Sequence, residues 1–77
     1  MMRFDIESKK HYDLALIYLQ RGNRDEAFVQ YGIAGTYRHL FHELTGATPG
    51  ELRELSEKVF DKLYVGTRIT ERSVTHG

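Results

Sequence analysis

The chain has no cysteine, a single proline and no long apolar run among its 77 residues. Without cysteine there is no disulfide, no zinc–thiolate site and no thiol nucleophile. The longest apolar run, Leu14 to Leu19, is six residues, where a membrane-spanning helix needs about 20. The opening Met1-Met-Arg-Phe-Asp-Ile-Glu lacks an apolar signal core, so secretion is not expected. Neither sign of charge is in surplus, because eleven basic and eleven acidic residues cancel. Nonspecific nucleic-acid binding usually wants a basic face, so nucleic acid is not an expected partner. The glycines never gather into a phosphate-cradling loop, and no serine sits in a Gly-x-Ser-x-Gly context. Together these absences leave a cytoplasmic, non-enzymatic protein with no cofactor as the expectation.

What is present is helical periodicity. A chain of this length suits one domain, and it buries only roughly 60% of the surface its unfolded form exposes. Tyr12, Ala15, Leu16 and Leu19 fall at i, i+3, i+4 and i+7, which predicts a first helix over about 5–21. Leu14, Ile17 and Tyr18 widen its stripe enough to touch two neighbours. Asp5 and Lys9 have the spacing of a favourable i, i+4 pair. Gly22 is suited to the left-handed end of this helix and Asn23 to the cap of the next, with Glu26 completing a capping box.

A second helix is expected over 24–44. Ala27, Tyr31 and Ala34 line one side and continue to Tyr37, Phe41 and Leu44. Gly32 and Gly35 are costly inside a helix, at about 1 kcal/mol each relative to alanine. With Ala34 they form a small-residue patch that another helix could approach closely; a bend at this point is the alternative. Gly46 supplies the stop. Thr48-Pro49-Gly50-Glu51 then opens a third helix over 49–65, with Thr48 as capping hydroxyl. Leu52, Leu55, Val59, Phe60 and Leu63 give its core face, and Arg53–Glu57 and Glu54–Lys58 its outer ion pairs. Gly66 is the expected cap, and 67–77 reads as a flexible polar tail, docked if at all through Val65 or Ile69. Short loops make the fold class all-α, an antiparallel up-down three-helix bundle over 1–66.

The search for chemistry yields two patterns. His39 and His42 lie three apart with Glu43 adjacent, yet a catalytic metal wants three protein ligands and no third has matching spacing, so no metal is expected. Arg38 and His42 resemble the arginine–histidine motif of the helical HEPN nucleases. In that family four to six residues intervene, against three here. An RNase is thus the enzyme alternative, with the pair stabilising and shuttling charge.

The hairpin resembles one tetratricopeptide unit at Leu14, Ala15, Tyr18, Ala27, Tyr31 and Ala34. It departs from that family at His11, where a tryptophan leads the motif, and at His39, where a proline ends it. The string Gly22-Asn23-x-x-Glu26-Ala27-x-x-x-Tyr31-x-x-Ala34-x-x-Tyr37 is similar to the middle of microtubule-interacting and trafficking (MIT) domains. That resemblance implies a three-helix adaptor that binds short C-terminal motifs of ESCRT-III-type filament proteins beside helix three. Helical geometry then selects Leu55, Val59, Lys62 and Leu63 as groove residues, with Tyr37 and Phe41 as one wall. The other reading is self-association, a homodimer through Gly32, Gly35 and Tyr31.

Overall fold

A computed structural model describes the backbone of residues 3–76 and the side chains of residues 3–64. The helices are α1 (Phe4–Gln20), α2 (Arg24–Thr45) and α3 (Gly50–His76), and the described residues contain no strand. The protein is an all-α three-helix bundle. α3 remains helical past Gly66, through His76, where the sequence predicts a cap and a polar tail. A lone glycine costs a helix about 1 kcal/mol without breaking it, and no proline follows it. Docking through Val65 or Ile69 lies outside the described side chains.

The hairpin turn follows from local chemistry. Gly22 takes φ +78°, and the Asn23 N–H donates back to the Tyr18 carbonyl at 2.8 Å. Asn23 Oδ1 in turn accepts from the Glu26 N–H at 3.2 Å, capping α2. Only this arm of the expected capping box forms, because the Asn23 N–H that Glu26 would reach is already spent on the end of α1. Gly46, at φ +79°, ends α2 with its N–H on the His42 carbonyl.

The start of α3 is corrected by one residue. The Pro49 carbonyl accepts the first helical bonds, from the N–H groups of Leu52 and Arg53. Pro49 therefore occupies the capping position, and Thr48 stands too far back to cap. Its hydroxyl meets His42 Nδ1 instead, at 3.2 Å.

α1 and α2 pack through small residues. Ser8, Ala15, Ala27 and Ala34 are all fully buried, and Ser8 Oγ donates to the Ala34 carbonyl at 2.8 Å. That bond satisfies the buried Ser8 hydroxyl at little net cost. Tyr12 fills the centre, its ring 5.9 Å from that of Tyr31 and its hydroxyl accepting from Arg38 Nε at 3.1 Å. α3 closes the core with Leu52, Val59 and Leu63.

Three residues predicted to face the core do not. Ile17 and Phe60 are exposed, and Leu44 is 73% exposed. Each lies at the edge or end of an apolar stripe wider than the surface its neighbours cover. The Gly32–Ala34–Gly35 patch is also split: Ala34 turns to α1, while no group lies within 4 Å of a Cβ built on Gly32 or Gly35. No helix makes the expected close approach there among the described residues, and α2 runs unbroken through both glycines.

The ion pairs are rearranged as well. Asp5 pairs with Arg3 at 2.9 Å, and Lys9 reaches across to Glu51 of α3 at 2.9 Å. Among the described residues, neither Arg53–Glu57 nor Glu54–Lys58 closes. The hydrogen bond to Glu51, then its charge, holds the Lys9 ammonium above its ordinary 10.5. A raised folded value means that the contribution is fully present below the unfolded value and lost as pH rises through the folded one. A Lys9→Met chain should melt slightly below the parent at neutral pH, with the gap vanishing in strongly alkaline solution. Because the pair is solvent-exposed, the gap should be small in thermal melts at the two pH values.

Candidate functional site

A concavity lies between α1 and α3 at the hairpin end. It is a cleft of about 550 Å³ lined by Leu16, Leu19 and Gln20 of α1, Gly22 of the turn, Arg24 of α2, and Lys58 and Lys62 of α3. Leu16 and Leu19 pack against the core and stay partly exposed, so they form an apolar floor. Arg24 is anchored by donating from Nη2 to the Leu63 carbonyl. Lys58 and Lys62, at i and i+4, stand on one face of α3. Both are exposed, and neither is in an ion pair among the described residues.

The electrostatics are one-sided. Among the described residues, the ammonium groups of Lys58 and Lys62 line the cleft without an ion-pair partner, and no carboxylate lines it. This local excess sits on a chain whose formal charge is zero. An apolar floor under a basic rim takes an apolar anchor flanked by acidic groups.

The predicted groove residues are only partly gathered here. Lys62 lines the cleft. Val59 and Leu63 are 0% exposed, within the core beneath it, and Leu55 packs against that core. Tyr37 belongs to the opposite side of the molecule, stacked on His11 at 5.7 Å and on Phe4 at 5.9 Å, so it faces α1 and forms no wall beside α3. Phe41 is half-buried and does not line this cleft. Leu16, Leu19, Gln20, Arg24 and Lys58 are the members that sequence reasoning missed. Their one signal is the i, i+4 spacing of Lys58 to Lys62, since Lys62 is a predicted groove residue while Lys58 is predicted to pair with Glu54 on the outer face.

Of the self-association set, Tyr31 packs against the core with its ring on Tyr12 and faces inward. Gly32 is exposed and Gly35 half-buried. His39 Nε2 lies 3.6 Å from Glu43 Oε1, whereas His42 turns to Thr48, so the two imidazoles have different partners. No group of three metal-ligating side chains is brought together among the described residues. Arg38 and His42 do share a cleft near the α2–α3 turn. No described helix is long and apolar enough to cross a membrane.

No protein-family model, curated protein or solved structure matches this chain.

Proposed function

We propose that this protein is a non-enzymatic binding module, an adaptor that takes a short acidic, leucine-bearing segment of another protein into the α1–α3 cleft. The observation that carries the proposal is the lining itself: Leu16 and Leu19 beneath the unpaired Lys58 and Lys62, with no carboxylate among the described lining residues. A leucine side chain buried on that floor is worth roughly 1.5–3 kcal/mol, and acidic neighbours on the segment meet the cationic rim. The MIT resemblance in α1 and α2 supports the same reading, since MIT domains use a groove beside their third helix. The absence of cysteine suits a cytoplasmic setting.

A binding isotherm with a fluorescent amphipathic peptide, acidic and carrying leucines at i and i+4, tests the proposal. Saturable binding that weakens as salt rises is expected. Replacing the peptide leucines by serine should abolish it. Equal binding by a basic peptide of the same length would sink the idea.

One observation favours a second reading, self-association through α2. The segment from Ala27 to Tyr37 holds no charged residue, yet Phe28, Val29 and Gly32 in it are exposed. Gly32→Ala separates the two readings. On a monomer the added methyl meets open space and removes a helix cost, so stability should rise by up to about 1 kcal/mol. In a dimer packed on Gly32 the same methyl would lower stability and raise the dissociation constant. Urea melts at two protein concentrations show which sign holds.

A further inference from the structure

At the other end of the bundle, around the α2–α3 turn, lie two adjoining clefts of about 200 and 280 Å³ that share Arg38, His42 and Thr48. Arg53 of α3 lines the second, together with the turn residues Gly46 and Ala47. Among the described residues, neither cleft is lined by a carboxylate. Arg38 is partly buried, and its one protein hydrogen bond runs from Nε to the Tyr12 hydroxyl at 3.1 Å. Neither Arg38 nor Arg53 has an ion-pair partner among the described residues.

A partly buried guanidinium normally carries a carboxylate, because an uncompensated charge is costly to desolvate. Here the bond to Tyr12 fixes Arg38 from the core side and leaves its Nη donors without an acceptor among the described residues. Arg53 brings a second guanidinium to the same space. Thr48 adds a hydroxyl, held within 3.2 Å of His42 Nδ1. Two guanidinium groups and a hydroxyl oriented by the imidazole beside it make a donor set matched to a tetrahedral oxyanion.

We propose that Arg38, His42, Thr48 and Arg53 form a binding site for a phosphate group, independent of the α1–α3 cleft. A free phosphate ion and the phosphate of a small monoester present the same oxygens to it. Arg38 supplies the fixed donors, Arg53 closes over the ligand from α3, and Thr48, accepting from His42 Nδ1–H, donates its hydroxyl to a third oxygen.

The test is an amide and arginine side-chain NMR titration of the full chain with inorganic phosphate, at constant ionic strength set by chloride. Saturable shifts confined to Arg38, His42, Gly46 to Thr48 and Arg53 are expected. Arg53→Gln, an exposed change that leaves the core intact, should weaken binding about tenfold while the rest of the spectrum is preserved. A parallel titration with O-phosphoserine separates the sources. Tighter binding of the ester assigns the site to phosphorylated small molecules, and equal binding assigns it to the ion, both in support. Shifts that never saturate, or that are unchanged in Arg53→Gln, would overturn the proposal.

Discussion

Reversing the cleft lysines, Lys58→Glu with Lys62→Glu, should weaken binding of an acidic leucine-bearing peptide by about 10- to 100-fold, equivalent to roughly 1.4–2.8 kcal/mol. Both side chains are exposed and unpaired among the described residues, so the fold does not depend on them. Surface changes of this kind usually move stability by no more than about 0.5 kcal/mol. Loss of binding with an unchanged melting curve would therefore report on the cleft alone. The salt dependence gives an independent reading. Affinity of the parent should fall as ionic strength rises, whereas the doubly reversed chain should show a flat or inverted response. A parent-like isotherm in the variant would remove the basic rim from the account.

Leu63→Ala should be the most damaging single change to the fold. Leu63 is 0% exposed, packs with Val59 and Leu52, and offers its carbonyl to Arg24. Removing a fully buried leucine side chain costs about 2–5 kcal/mol, a sum of lost transfer energy and residual cavity. A core this small rarely supplies more than about 3–5 kcal/mol in total. The variant should thus be partly unfolded without denaturant, as read by circular dichroism across a urea series. Leu44→Ala is the matching control. At 73% exposed, it should change stability by less than about 0.5 kcal/mol. If the two variants melted alike, α3 would not be seated on the α1–α2 hairpin as described.

The contrast between these two leucines shows what the sequence makes legible. The turn at Gly22-Asn23 and the stop at Gly46 could be read directly, because a left-handed glycine and an asparagine cap are local events. The buried stripe of Tyr12, Ala15, Ala27 and Ala34 was legible from its spacing. Its margins were not: Ile17, Leu44 and Phe60 fit the period equally well, and only the arrangement of neighbours decides which flank is covered. The Lys9–Glu51 pair was hidden because its partners are far apart in the chain and are brought together by packing alone.

The candidate cleft is less legible still, for the same reason. Its floor comes from the end of α1, its anchor from the first residue of α2 and its lysines from the middle of α3. No single helix displays that combination. Placing Tyr37 and Phe41 beside α3 followed from the face they share with Ala34, a face that α1 in fact occupies at Tyr37 through Phe4 and His11.

As proposed, the α1–α3 cleft receives an acidic, leucine-bearing segment of another protein. The most direct measurement is an amide NMR spectrum of the labelled chain titrated with such a peptide. Saturable shifts at Leu16, Leu19, Gln20, Gly22, Arg24, Lys58 and Lys62, with Tyr37 and Phe41 unmoved, are the predicted result. Shifts confined to the α2 face around Val29 and Gly32, or no shifts at any peptide concentration, would contradict it.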